Sequence, residues 1–329
     1  MDWGFILDNS LRAIVGQEAI VFALAAIGLN VQFGYTGLLN FGQAAFAAVG
    51  GYGLATIVAT FGLPFWFGLL VGIAGAMLLA LLLGIPTLRL RADYLAIVTI
   101  AASEIIRLVF RSSTLRDTFG GSGGLTGFTN TFFDLNPFDD RVGFGPWTFG
   151  PRDAWVLTVG WVLVLLSCLV VWALMRSPWG RVLKAIREDE DAVRSLGKNV
   201  YAYKMQSLAL GGIFGALAGF MFSIANAAIQ PDLYQPTFTF YAYTILILGG
   251  AARVFGPVVG AMIFWFVLQL LATTLEAGVR ADIFPFSLMT TNQVGSVRFM
   301  LVGLILILLL IFRPQGIFGN RKELVFDVR

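Results

Sequence analysis

The densest group of uncharged polar side chains lies between residues 28 and 46, where most other residues are apolar or glycine. Its amides and hydroxyls belong to Asn30, Gln32, Tyr35, Thr36, Asn40 and Gln43. Such groups donate and accept hydrogen bonds, so they are candidates for contacting a neutral polar solute. They could equally satisfy backbone groups and hold neighbouring helices together where Gly34, Gly37 and Gly42 break a helix. Both interpretations stay open at this stage.

A second candidate is the pair Glu104 and Arg107, which lie three residues apart and therefore on one face of a helix. Opposite charges at this spacing can form an ion pair. We consider them candidates for the same solute pathway, with a structural ion pair as the alternative.

The chain lacks the residues of the common nucleophilic, cysteine-metal and phosphate-loop sites. It has no histidine and one cysteine, Cys168, so no nucleophile with a histidine base and no cysteine metal site can be assembled. No G-x-x-x-x-G-K-[ST] phosphate-binding loop occurs either. We therefore expect no catalytic residue, no metal and no cofactor in this chain.

The elements that position these residues must lie in lipid. Hydrophobic residues make up 58% of the 329 residues and charged residues only 12%, and the mean hydropathy is +0.82. These values predict an all-α polytopic membrane protein of about 8 to 10 transmembrane helices, with one transmembrane domain over residues 1–329. The predicted spans are 19–33, 41–61, 65–88, 94–110, 154–175, 205–225, 238–250, 257–271 and 297–312.

Lysine and arginine are concentrated between spans, and residues 176–204 are the richest stretch. The positive-inside rule places this segment in the cytoplasm. Counting spans outward then puts Arg89, Arg91, Arg253 and the 313–329 tail on the same side, and the segment 111–153 outside. The outer segment is rich in glycine and aromatic residues, so we expect a packed external cap, with a flexible connection as the alternative.

The cytoplasmic segment predicts a short helix from Gly180 to Leu196. Ser177 could cap it, Pro178 suits its first position and Gly197 its exit. Val182, Ile186, Val193 and Leu196 recur at helical spacing, and we assign this seam to a partner's groove. The charged remainder includes Arg181, Lys184, Arg187, Glu188 and Asp191. The alternative is a surface helix that lies on its own membrane domain.

Several blocks resemble one family in order along nearly the whole chain. The string GLNVQFGYTGLLNFGQAAF at 28–46 resembles the first block of the branched-chain amino acid ABC transporter permeases. LRLRADYLAIVT at 88–99, GRVLKAIREDE at 180–190 and RPQGIFG at 313–319 also fit. The order of the blocks is similar to that of LivM-like subunits.

The resemblance implies a permease of a bacterial inner-membrane importer for branched-chain or other neutral amino acids. It implies a LivH-like second permease, two subunits that bind ATP and magnesium, and a periplasmic solute-binding protein, with no nucleic acid partner. It also identifies 180–196 as the coupling helix. Urea or short amides are the alternative cargo, and a self-sufficient secondary transporter is the alternative class. Co-purification of an ATPase would separate the secondary transporter from the importers. The ligand of the binding protein would separate amino acids from urea or short amides.

Overall fold

The computed structural model describes residues 3–88, 92–144, 147–280, 293–312 and 316–318. The helices, in chain order, are α1 Trp3–Val15, α2 Gln17–Leu29, α3 Gln43–Ala55, α4 Phe65–Thr87, α5 Ala92–Arg111, α6 Arg116–Phe119, α7 Asn130–Asp134, α8 Pro151–Arg176, α9 Pro178–Glu188, α10 Glu190–Ser195, α11 Val200–Asn226, α12 Pro236–Gly249, α13 Gly256–Arg280 and α14 Val294–Phe312. The strands are β1 Leu125–Thr126, β2 Val142–Phe144, β3 Trp147–Phe149 and β4 Ala228–Ile229. Two π-helices, Asn30–Tyr35 and Thr56–Thr60, extend α2 and α3.

Long apolar helices dominate this architecture. Within the described ranges, six helical stretches are long and apolar enough to cross a membrane, and the described parts of α12 and α14 add two shorter apolar helices. Helix α5 contains 20 residues but carries Glu104, Arg107 and Arg111 in its second half. Every predicted span coincides with one of these helices. The prediction of an all-α polytopic membrane protein is confirmed.

Helices α2, α3 and α11 form the centre of the bundle. All residues of α2 from Ala19 to Leu29 are buried, and none of them is charged. Glycines allow the close approach: a Cβ atom at Gly219 of α11 would collide with the Ala47 carbonyl, and one at Gly50 of α3 with Ala216. Small residues at helix contacts are typical of membrane bundles, where close van der Waals packing stabilises association.

The segment between α5 and α8, which is predicted to lie outside, is packed against the rest of the chain. Phe128 is fully buried, and Phe132 stacks near Trp155 with ring centroids 5.8 Å apart. Strand β1 pairs with β4, which ties this segment to the connection between α11 and α12. The predicted packing of its aromatic residues is confirmed, while residues 145 and 146 lie outside the described residues.

The connections separate into two groups at opposite ends of the bundle. At one end, Gln17 donates to Asp153 (3.1 Å) and the Trp147 indole to Asp8 (2.6 Å). At the other end, α9 contacts the turn after α2. The predicted cytoplasmic positions Arg89 and Arg91 and most of the 313–329 tail lie outside the described residues.

Candidate functional site

The polar block between α2 and α3 forms an irregular hairpin. Helix α2 widens into the π-helix Asn30–Tyr35, and the chain then runs without regular structure until α3 begins at Gln43. Gly37 has a φ of +75°, a conformation that side chains with a Cβ rarely adopt. The Thr36 hydroxyl donates to the Val31 carbonyl at 2.9 Å and so satisfies a backbone group of the widened turn. The predicted glycine-dependent break near the amino terminus is confirmed.

Asn30 joins this hairpin to the turn between α12 and α13. Its Nδ2 donates to the Arg253 carbonyl and its Oδ1 accepts from the Ala252 amide, both at 2.8 Å. Ala252 has a φ of +60°, so the two hydrogen bonds hold a backbone conformation that is otherwise unfavourable for alanine. Asn30 is 1% exposed, and both ends of its amide are occupied by backbone groups.

Gln32 and Asn40 hold the two arms of the hairpin together. Asn40 Nδ2 donates to Gln32 Oε1 at 2.8 Å, and Gln32 Nε2 donates to the Leu208 carbonyl of α11 at 3.0 Å. Asn40 Oδ1 accepts from the Gly42 amide at 2.9 Å. These side chains therefore satisfy the broken backbone and bind neighbouring elements, as one of the two interpretations expected.

Gln43 contacts two helices at once, because its Nε2 donates to the carbonyls of Ala25 (3.3 Å) and Gly211 (3.1 Å). Its Oε1 is buried and has no hydrogen-bond partner within the described part of the chain. Tyr35 is 2% exposed, and the Lys184 ammonium lies 5.7 Å from its ring. Contact of these residues with a solute stays a prediction.

Three further side chains bind this hairpin and were not predicted. Tyr243 donates to the Asn40 carbonyl (3.0 Å), Thr239 accepts from the Ala44 amide (2.9 Å), and Thr99 accepts from the Phe41 amide (3.0 Å). Thr239 and Tyr243 lie one helical turn apart on α12, which is a spacing visible in the sequence. Their target was not visible, since only the fold brings α12 beside α3.

The charged inner segment consists of two helices, so the prediction of one helix over 180–196 is wrong. Asp189 interrupts it with an extended backbone, and its Oδ1 accepts from the Ala192 amide (2.9 Å) to cap α10. An aspartate favours such a cap because it supplies a free helix amide with an acceptor. We name α9 and α10 together the inner helical pair.

The predicted ends of this segment are partly correct. Pro178 occupies the first position of α9 as predicted, and Gly197 has the positive φ, +74°, expected of a helix exit. Ser177 stands at the capping position, but its hydroxyl donates to the Leu174 carbonyl at 2.6 Å. The predicted side-chain cap by Ser177 is therefore wrong.

The apolar seam of the inner helical pair faces its own chain. Ile186 is 4% exposed and clusters with Val193 and with Val200 of α11. The assignment of Ile186 to a partner's groove is therefore wrong, because α11 already covers this residue. Leu196, expected in the same seam, is instead 79% exposed. Four of the predicted docking residues are exposed in the structure: Arg181, Lys184, Glu188 and Asp191.

Arg187 connects the inner helical pair to the hairpin. Its Nη1 donates to the Gly34 carbonyl at 2.5 Å, and its side chain passes Gly37, whose added Cβ would lie 3.5 Å from Arg187 Cγ. This side chain is partly exposed, and the docking role of Arg187 stays a prediction. The first polar block and the charged segment, far apart in sequence, meet at this hydrogen bond.

Glu104 and Arg107 form the predicted pair. Arg107 Nε donates to Glu104 Oε2 at 2.9 Å, and Arg107 Nη1 donates to Asp232 Oδ1 at 2.8 Å. Arg111 approaches the same Asp232 oxygen at 3.4 Å. Asp232 was not predicted, and it links α5 to the α11–α12 connection. The bonds favour the structural interpretation of this pair, while contact with a solute is untested.

These features define a class of protein. A bundle of apolar helices encloses a broken helix, and a charged helical pair at one end of the bundle is bonded to that break. Such an arrangement is that of the membrane-spanning component of a transport system.

The family model of the branched-chain amino acid transport system permease component matches residues 14–311. The chain belongs to this family. It is 31% identical to the high-affinity branched-chain amino acid transport system permease protein LivM of Escherichia coli, over 96% of this chain and 71% of that protein. It is 25% identical to the probable LivM permease of Methanocaldococcus jannaschii, over 92% and 91% of the two chains.

Among solved structures, the chain aligns with PsaBC from Streptococcus pneumoniae in complex with Fab at 17% identity. The TM-score is 0.43, and the alignment covers 94% of this chain and 92% of that one.

Proposed function

We propose that this chain is the permease subunit of a binding-protein-dependent ABC importer in the bacterial inner membrane. Its cargo is a branched-chain or other neutral amino acid, and partner subunits hydrolyse ATP. The observation that carries the proposal is the family match over residues 14–311. The chain is a transport component, and we propose that it has no ATPase site of its own.

The inner helical pair supports this assignment because it offers a route for mechanical work. Its apolar side is anchored on α11 through Ile186 and Val193, while Arg181, Lys184 and Glu188 are exposed to a partner. Movement of α9 reaches the hairpin through the bond from Arg187 to the Gly34 carbonyl. We therefore propose that an ATP-binding subunit docks on the charged side of the pair and that the pair displaces the hairpin.

The remaining partners follow from the same proposal. A second, LivH-like permease would complete the solute path, two ATP-binding subunits would supply ATP and magnesium sites, and a periplasmic binding protein would deliver the solute. The packed segment 111–153 is the expected contact for the binding protein. Residues 176–204 and the 313–329 tail are expected to face the cytoplasm.

Reconstitution of the complete importer tests this proposal. The four kinds of subunit are assembled in liposomes, and uptake of labelled leucine is measured with and without ATP and the binding protein. ATP-dependent uptake that requires both is the expected result. Binding of urea but not leucine by the binding protein would change the cargo, and ATP-independent uptake by this chain alone would overturn the proposed class.

A further inference from the structure

One arginine lies within α14 and, among the described residues, has no charged partner. Arg298 is the single charged residue of α14, whose other residues are almost all apolar. Within the described ranges it forms no salt bridge, its Nε has no hydrogen-bond partner, and its guanidinium lies 4.8 Å from the Phe299 ring centroid. A charge without a counter-charge inside a membrane is costly, so such a residue is a candidate for ligand binding.

A layer of aromatic rings adjoins this arginine. The Phe299 and Tyr241 centroids are 6.0 Å apart, Tyr241 and Phe22 are 5.9 Å apart, and Phe22 and Trp265 are 5.4 Å apart. At 1.5 Å of rise per residue, Arg298 lies about 6 Å from the start of α14 and about 21 Å from its end. It is therefore about one turn inside one end of this helix, and the ring contacts lead from it to Trp265, which lies about 13 Å from the start of α13.

The same layer contains a second unsatisfied donor. Trp265 Nε1 is buried without a hydrogen-bond partner, as is Arg298 Nε. An indole N–H and a guanidinium only donate hydrogen bonds. A group that binds both donors would therefore be an acceptor, and a carboxylate is the acceptor whose geometry fits a guanidinium.

The neighbouring face of α12 is open and carries hydroxyl groups. Thr237 and Phe240 are exposed, and Tyr241 and Thr244 are half-buried, all on one side of the helix. Two threonines and a tyrosine beside an arginine are unfavourable against lipid chains. This face is better suited to a water-filled route that is closed on its far side by another subunit.

We propose that Arg298 binds the carboxylate of the transported solute as it passes the α12–α14 face, with the aromatic layer contacting the apolar side chain. The inference rests on the proposed function and adds the residue that recognises the negatively charged end of the amino acid. The same carboxylate chemistry could be supplied by an acidic side chain of the second permease, and the experiment separates the two sources.

The test uses the complete importer in liposomes, with Arg298→Gln, Arg298→Lys and the control Arg12→Gln. Arg12 also lies on a helix of this domain but is already paired with Asp8 at 3.1 Å. Leucine uptake and ATP hydrolysis stimulated by the loaded binding protein are measured at equal assembly. Loss of a hydrogen bond to a charged group corresponds to roughly a tenfold effect or more. We expect uptake to fall at least tenfold in Arg298→Gln while ATP hydrolysis stays within about twofold, and the lysine variant to retain more uptake.

A charge-restoration experiment examines the same position directly. Arg298→Cys is made in a Cys168→Ala background and treated with water-soluble thiosulfonates that add a cationic or an anionic group. Restoration of uptake by the cationic reagent alone, with leucine slowing the modification, is the expected result. No modification by either reagent, or equal uptake by Arg298→Gln and wild type, would overturn the proposal.

Two other outcomes have distinct meanings. Loss of the second permease from purified Arg298→Gln complexes would show that the carboxylate belongs to that subunit, which overturns binding of the solute. Absence of leucine uptake by the wild-type importer would instead overturn the proposed function. Uptake by the wild-type importer is therefore measured before any variant is compared with it.

Discussion

The hydrogen bond between Arg187 and the Gly34 carbonyl should determine how well ATP hydrolysis is coupled to transport. It joins the inner helical pair to the hairpin at 2.5 Å. A hydrogen bond to a charged group contributes about 1.5 to 3 kcal/mol, which corresponds to roughly a ten- to hundredfold change in an equilibrium. Replacing Arg187 with alanine removes that contribution and leaves Gly34 without this donor.

We expect Arg187→Ala to lower the number of leucine molecules imported per ATP hydrolysed by about tenfold. ATP hydrolysis itself should persist, because the exposed docking side of the inner helical pair is unchanged. The assay measures uptake and phosphate release in the same liposomes. Arg194→Ala is the matched control, because the Arg194 side chain is 62% exposed and, among the described residues, pairs with Glu190 and Asp191 alone. Surface pairs of this kind contribute less than about 1 kcal/mol.

The reasoning would be refuted by Arg187→Ala complexes that import leucine with the wild-type ratio. A proportional fall of uptake and ATP hydrolysis, together with reduced assembly, would also count against coupling, because it would indicate a purely structural role. Arg187→Lys should be intermediate, since an ammonium can still donate to the carbonyl but lacks the planar, extended donor set of a guanidinium.

Three more expectations concern the inner helical pair and the topology. Gly197→Val should reduce uptake, because a β-branched residue at a φ of +74° is strained by about 1 kcal/mol or more. Gly197→Asn should be tolerated. Wild-type uptake by Gly197→Val would contradict the reasoning. Ile186→Asp should reduce the amount of folded chain in membranes, measured by size-exclusion chromatography, because α11 covers this side chain. A normally folded Ile186→Asp variant that fails to bind the ATP-binding subunit would instead support the original assignment of Ile186 to a partner's groove. Ser122→Cys in a Cys168→Ala background should react with a membrane-impermeant reagent added outside. Reaction only after the inner face is opened would show that the assigned topology is inverted.

Helix positions were predictable because lipid imposes one rule on a long chain. An apolar stretch of roughly 20 residues has almost no alternative to a helix in a membrane. Contacts between side chains were not predictable in the same way. Asn40 could be recognised as polar within an apolar region, but its bond to Gln32 depends on how tightly the hairpin turns.

The errors in the inner segment have a physical cause. Helical spacing correctly marked Ile186 and Val193 as one apolar seam, but periodicity does not tell which surface covers a seam. Asp189 lies within the predicted continuous helix, but its short side chain competes for backbone amides and starts a new helix. The position of Asp232 beside Arg107 likewise depends on the tertiary fold, which no local pattern indicates.

The hairpin after α2 is held by three separate parts of the chain, and this arrangement suggests how a small movement is transmitted. Asn30 binds the turn at Ala252, Thr36 meets Ser207 of α11 with a hydroxyl distance of 2.8 Å, and Gly34 accepts from Arg187. Two of these bonds are made by short, buried side chains, which have little freedom to follow a displaced partner. A shift of α9 must therefore either break the Arg187 bond or move the hairpin as a unit, and the interlocked amides of Gln32 and Asn40 favour the second outcome.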